Sequence, residues 1–309
     1  MKKHLSKVML LSLLAALIVS TGPAQAGKAW NPPAYYAQEL YAEIEGMKIC
    51  YLEAGQENPE TIVFVHGFSG NALDWLGQYD YFSARYHVLI LDEPGHGKSE
   101  RRAGLAYSNE LNGKTVIGLL DHVGVKKAHL VGNSLGGQVS AWVAIHYPDR
   151  VGKLILVDAA GAHDFTWAAG IAPLMNPLTI KLIGYTRGGS IPADGPQNIA
   201  RGDFRASLQG ANEEWRYLLT LSKAFREALR PVKPDLPKIQ APTLIMWGDD
   251  DPILTVKDVD IFASLIPNTT RYLVHEGNHS PQITKPAEFN CAVEKFLAGE
   301  DMEGCHGVN

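Results

Sequence analysis

Three side chains far apart in the chain, Ser134, Asp251 and His279, have the types and the order from which an activated nucleophile can be built. A serine hydroxyl is a poor nucleophile until a base takes its proton. An imidazole does this best when a carboxylate fixes its tautomer and stabilises the cation. Ser134 stands in Gly132-Asn133-Ser134-Leu135-Gly136, a G-x-S-x-G pattern. The missing Cβ at both glycines lets a strand and a helix approach closely while the serine takes strained backbone angles. With 30 glycines among 309 residues the pattern alone is weak evidence, because it also describes a serine in a tight turn. Its context sharpens it. Ala128, His129, Leu130 and Val131 form an apolar run too short for a helix, which reads as a buried parallel strand. Val139, Trp142, Val143 and Ile145 then follow a helical rhythm that Pro148 ends. Strand, turn and helix put the hydroxyl at the carboxyl end of a strand and over a helix N-terminus that stabilises developing negative charge.

The base must lie at the same rim. His279, in the loop after the last strand pattern, is the choice; His275 is one residue past that strand, and His66 directly precedes a glycine-rich turn where a structural hydrogen bond suits it better. For the acid, Asp251 falls three residues after Gly248 in the loop following the penultimate strand pattern. Asp249 and Asp250 read as caps or solvated charges, and Asp158, which also ends a strand pattern, stays an alternative acid. The backbone N–H groups of Leu135 and of Phe68 are the expected oxyanion donors.

The elements that must position these groups follow from hydrophobic period. Alternation over 41–54 around Gly46 predicts an antiparallel hairpin at a sheet edge, with Ile44, Met47, Ile49 and Tyr51 apolar. Continuous apolar runs at 61–65 and 86–91 predict buried strands, and 153–157, 243–247 and 271–274 predict further strands. Helical patterns at 109–123, 256–265 and 286–297 alternate with them, which implies right-handed crossovers and a mainly parallel sheet. The turn at 92–99, DEPGHGKS, lacks the phosphate-loop spacing and reads as close packing beside the site. Residues 161–237 break the rhythm and are too long for a connection, so they read as an inserted helical cap. Trp167 and Leu218 stand for its apolar surface, and with Asn133 they are candidate substrate contacts.

Residues 1–26 have a positive start (Lys2, Lys3, Lys7), an apolar core at 8–19 and Ala24-Gln25-Ala26, which is the pattern of an export signal; an uncleaved membrane anchor is the alternative. The organisation expected is therefore 1–26 signal, 27–160 and 238–299 core, 161–237 cap and 300–309 a loose polar tail. The formal charge is −5; losing the first 26 residues removes three lysines and no acid, leaving −8 on 283 residues, which gives no support to nucleic-acid binding. No spacing of His, Cys or carboxylates points to zinc, and neither a metal nor a cofactor is expected. Of three cysteines, Cys50 lies in a strand pattern, so Cys291 and Cys305 are the expected disulfide pair in an oxidising compartment.

The segments HGFSG, DEPGHGKS, GNSLGG, WGDDDP and EGNHSP occur in an order that resembles the α/β-hydrolase superfamily over residues 41–299. HGFSGNALDW, LVGNSLGGQVSAWVAIHYP and APTLIMWGDDDPIL look like its monoacylglycerol lipase and bacterial lipase/esterase branch. The resemblance implies an α/β-hydrolase fold with a cap, a nucleophile at Ser134, an acid at Asp251 and a base at His279, with Phe68 and Leu135 supplying the oxyanion hole. The implied reaction is hydrolysis of a carboxylic ester or acylglycerol through an acyl-enzyme, without an obligate protein partner and with transient lipid contact through the cap. Asn133 before the nucleophile is also similar to hydrolases of carbon–carbon bonds, so that reaction and lactone hydrolysis stay open. A hydrolase-fold binding protein without catalysis is the alternative of another class.

Overall fold

A computed structural model describes residues 39–68, 70–102, 105–163 and 231–307. Within them one sheet of eight strands carries everything else: β1 (Leu40–Ile44), β2 (Met47–Ala54), β3 (Thr61–Val65), β4 (His87–Leu91), β5 (Ala128–Asn133), β6 (Val151–Val157), β7 (Thr243–Gly248) and β8 (Thr269–Val274). The order across the sheet is β1-β2-β4-β3-β5-β6-β7-β8. β2 runs antiparallel to both β1 and β4, and every later pairing is parallel. The expected hairpin is therefore at the edge, and the expected strands are found with ends shifted by at most two residues.

Strands β3 and β4 are buried along their whole length, as their unbroken apolar runs require. Val63, Val65, Leu89 and Leu91 face one core with helices α2 (Asn109–His122), α3 (Leu135–His146) and α4 (Asp258–Leu265). Ile62, Phe64, Val88 and Ile90 face the other, with α1 (Leu76–Ser83) and α5 (Pro286–Ala298). From β3 the chain crosses to β4 on one side, whereas from β5 it crosses to β6 on the other. The carboxyl ends of β3 and β5 are thus neighbours at the point where the winding reverses, which is where open α/β sheets bind ligands.

Helix α1 and the 3-10 turn Ala72–Trp75 before it have no counterpart in the sequence reading. Residues 164–230, nearly all of the expected cap with Trp167 and Leu218, lie outside the described residues, as do the expected signal and its cleavage site. Among the described residues no helix is long and apolar enough to cross a membrane.

The tail corrects an expectation. Instead of hanging loose, it is pinned by the Cys291–Cys305 disulfide, which joins α5 to a 3-10 turn at Glu303–Cys305. Met302 and Cys305 are buried, and the His306 ring stacks on Tyr272 of β8 with centroids 4.7 Å apart. Cys50 is free and buried in β2, as its strand pattern implied. The bridge closes a loop of 14 residues, a size for which cross-linking contributes about 2–4 kcal/mol. Cys305→Ser should lower Tm by roughly 5–10 °C and expose the tail to proteolysis, both read by thermal melts and limited digestion.

Candidate active site

Ser134 is the junction of β5 and α3, with φ 54° and ψ −114°, a region that side chains other than glycine rarely enter. Close packing fixes it there. A Cβ on Gly132 would lie 2.2 Å from the Gly136 carbonyl oxygen, and one on Gly136 would lie 2.2 Å from the Val65 carbonyl oxygen. Main-chain bonds complete the elbow: Ser134 N–H donates to the Val157 carbonyl at 2.9 Å, and the Ser134 carbonyl accepts from Ala160 N–H at 2.9 Å. From Val131 to Ala141, Ser134 is the one residue that is not buried. An elbow that hides its neighbours and shows one hydroxyl suits a nucleophile.

The turn after β3 lies against it. A Cβ on Gly67 would come within 3.2 Å of Ser134 Cβ, so glycine lets this turn reach the serine. Leu135 opens α3, and its N–H has no intrahelical carbonyl to meet. The turn is braced from below by His66, which is fully buried. Glu93 N–H donates to His66 Nε2 at 3.0 Å, so the ring proton sits on Nδ1 and is given to the Gly67 carbonyl at 2.8 Å. Burial, then the neighbouring His96, hold the His66 imidazole down to about 3, which keeps it neutral. His66 thus has the structural role expected of it. Asp92 likewise shapes the DEPGHGKS turn, accepting N–H groups of Ala72 and Lys98 at 2.7 Å each.

Across the rim, His279 Nδ1 lies 2.8 Å from Asp251 Oδ2, and the Asp251 carboxylate is wholly shielded from solvent. Asp251 Oδ1 accepts the N–H groups of Ile253 and Leu254 at 2.7 and 3.0 Å. With Nδ1 donating to the carboxylate, Nε2 is left as the accepting nitrogen. The Asn133 amide ties this loop to the elbow, donating to the His279 carbonyl at 3.0 Å and to that of Val157 at 3.3 Å. Asn133 is therefore a brace rather than the substrate contact expected, since it is buried and its amide is spent on these carbonyls. Gly248 allows the two loops to meet, because a Cβ there would lie 2.3 Å from the Asn278 carbonyl oxygen. No hydrogen bond joins the Ser134 hydroxyl to His279 among the described residues.

The other candidates separate cleanly. His275 is exposed and pairs with Asp249 at 3.0 Å on the surface, and Asp250 is exposed. Asp158 is buried beside the pair: one ligand atom each from Asp158, Asp251 and His279 lie within 4.8 Å of one another. Burial, then the charge of Asp251, push the Asp158 carboxyl well above the usual carboxylate range. Sequence reasoning missed Glu93; its neighbours Asp92 and Pro94 in an obvious polar turn concealed that its side chain points into the protein.

Residues 62–292 match the model of the Alpha/beta hydrolase family. The chain is 29% identical over 257 residues to the 3-oxoadipate enol-lactonase 2 of Acinetobacter baylyi, covering 80% of this chain and 92% of the lactonase. It is 28% identical over 255 residues to a 2-hydroxy-6-oxononadienedioate/2-hydroxy-6-oxononatrienedioate hydrolase of Comamonas testosteroni, covering 77% of this chain and 88% of that hydrolase. Among solved structures, a membrane phospholipase A described as a bacterial virulence factor superimposes with a TM-score of 0.73 at 25% identity, covering 97% of this chain and 99% of that one.

Glu93, whose N–H holds His66 beneath the turn after β3, has a pH signature of its own. Burial pushes the Glu93 carboxyl from 4.5 up to about 8, against a smaller opposing contribution from the Asn112 side chain. A carboxyl raised in the folded state favours folding below its unfolded value and loses that contribution as pH rises towards the folded value. Glu93→Gln should therefore raise Tm near pH 8, the gain shrinking on acidification and vanishing below about pH 4, as melts at several pH values will show.

Proposed function

We propose that this chain, which belongs to the alpha/beta hydrolase family, is a serine hydrolase that cleaves carboxylic esters through an acyl-enzyme, with Ser134 as nucleophile, His279 as base and Asp251 as acid. The observation that carries the reading is the Asn133 amide, which ties the loop of the buried Asp251–His279 pair to the strained turn that presents Ser134.

In this reading His279 Nε2 takes the Ser134 proton as Oγ attacks the ester carbonyl, and the Leu135 and Phe68 N–H groups receive the oxyanion. The imidazolium then protonates the departing alcohol. Water, deprotonated by the same nitrogen, attacks the acyl-enzyme, and the proton returns to Oγ as the acid leaves. Asp251 stays ionised throughout, stabilising the imidazolium and fixing its tautomer. The bond between nucleophile and base closes when substrate fills the site, as commonly happens in this chemistry.

Acyl esters and acylglycerols are the substrate class we favour. The likeness to a membrane phospholipase A along 97% of the chain supports acyl substrates, and so does the export-type pattern of residues 1–26. The apolar residues of 164–230, Trp167 and Leu218 among them, would meet the acyl chain and a lipid surface. Export to the periplasm or medium belongs to the same proposal, with retention on an uncleaved anchor as its alternative. Lactone hydrolysis is the second reading, favoured by the enol-lactonase likeness; a lactone is an internal ester, and the same attack opens it. Neither reading requires a cofactor.

The purified protein should hydrolyse p-nitrophenyl esters of short to medium acyl chains, with kcat/KM rising with pH as the imidazole gives up its proton. Asp251→Asn should cost on the order of 10⁴ in kcat with the fold intact by circular dichroism. Hydrolysis that survives Ser134→Ala would remove the nucleophile proposed here. A panel of acylglycerols, simple esters and lactones would choose between the substrate classes.

A further inference from the structure

Asp158 carries more chemistry than a buried strand end needs. It follows β6 with φ 42°, held in that region by its N–H bond to the Met246 carbonyl at 3.0 Å. Its Oδ1 accepts the Gly248 N–H at 2.9 Å, while its Oδ2, also buried, receives no hydrogen bond. Asp251, within 4.8 Å, accepts three donors: the N–H groups of Ile253 and Leu254 and the Nδ1–H of His279. Two carboxyl groups this close and this dry do not both ionise. The charge settles on the one with three donors, and the proton on the one with a single donor and an empty oxygen.

We infer that Asp158 is a protonated carboxylic acid that donates a hydrogen bond from Oδ2 to Asp251 and, through Asp251, sets how strongly His279 holds its proton. It is a positioning residue, not a second triad acid. The bond draws charge from Asp251 and weakens its pull on the Nδ1 proton, so the imidazole becomes a free base at lower pH than it would beside an unshared carboxylate. The raised position of the Asp158 carboxyl agrees with this assignment. The other titratable groups facing the cluster are few among the described residues. Asp258 at the start of α4 lies 2.6 Å from His163 and interacts with Asp251, with Lys233 beyond it. Asp258 is ion-paired with His163 and is left in place in both Asp158 variants, so a change between them is read at Asp158.

The inference rests on reading His279 and Asp251 as base and acid, and the test is independent of turnover. The measurement is the NMR titration of the His279 imidazole, assigned by its loss in His279→Gln, in the wild type, Asp158→Asn and Asp158→Ala. An amide still donates, so Asp158→Asn should titrate close to the wild type. Asp158→Ala, which removes the donor, should titrate roughly one pH unit higher, and the acid limb of kcat/KM should move with it. If both variants titrate lower, Asp158 was an anion beside the imidazole and the inference is wrong. If neither moves while Tm falls, Asp158 only packs and the inference is equally wrong. Should Asp158→Ala fail to fold, infrared difference spectra of wild type minus Asp158→Asn at neutral pH decide the question: a protonated-carboxyl band supports the assignment and a carboxylate band overturns it. Failure of the ester-hydrolase reading would appear instead as absent turnover while Asp158→Ala still shifts the His279 titration upward and Asp158→Asn does not.

Discussion

Everything at the rim of this sheet depends on the contact between the β5–α3 junction and the turn after β3. Ser134 occupies a backbone region that costs about 1–3 kcal/mol, and it stays there because the surroundings leave no alternative. Gly132 and Gly136 bring strand, helix and the Val65 carbonyl within distances that any side chain would forbid. The consequence is positional: one hydroxyl emerges from an otherwise buried segment, at the helix N-terminus and at the switch point between β3 and β5. The remaining loops are fitted to that point. The Asn133 amide reaches the His279 carbonyl, Gly248 lets the β7 loop touch the β8 loop, and His66 spends both ring nitrogens beneath the turn that carries Phe68.

A second theme is the placement of protons in dry surroundings. His66 is kept neutral by burial, Glu93 is kept protonated by it, and burial with the charge of Asp251 pushes the Asp158 carboxyl well above the usual carboxylate range. Asp251 collects three donors, two backbone N–H groups and the imidazole Nδ1–H. Burial and hydrogen bonding therefore give chemically identical groups different environments, as for the two aspartates at neighbouring strand ends.

Much of this was readable from residue order. Unbroken apolar runs located β3, β4 and β7, because a strand covered on both faces has little choice of composition, and the glycines around Ser134 marked a tight turn. Asp251 and His279 were singled out by their place after the last two strands, and the structure brings them together. What escaped was set by distant partners. Helix α1 is short and buries Gln78, whose amide nitrogen donates to the Gln282 carbonyl and to Asn290 Oδ1, residues more than 200 positions away. The tail is ordered by a disulfide to α5 and by His306 stacking on Tyr272, contacts that its polar composition concealed. Asn133, a candidate substrate contact by sequence, turned out to be spent on the backbone of the loop it braces.

The central claim is that Ser134 Oγ becomes covalently acylated, and trapping the intermediate tests it most directly. Mixing the protein with a p-nitrophenyl ester and quenching in acid on the millisecond scale should give a p-nitrophenolate burst near one equivalent and a matching mass increase. After proteolysis the added acyl group should map to the peptide bearing Ser134. An acyl group mapped to a different residue, or steady hydrolysis with neither burst nor adduct in wild type and unchanged turnover in Ser134→Ala, would contradict the account.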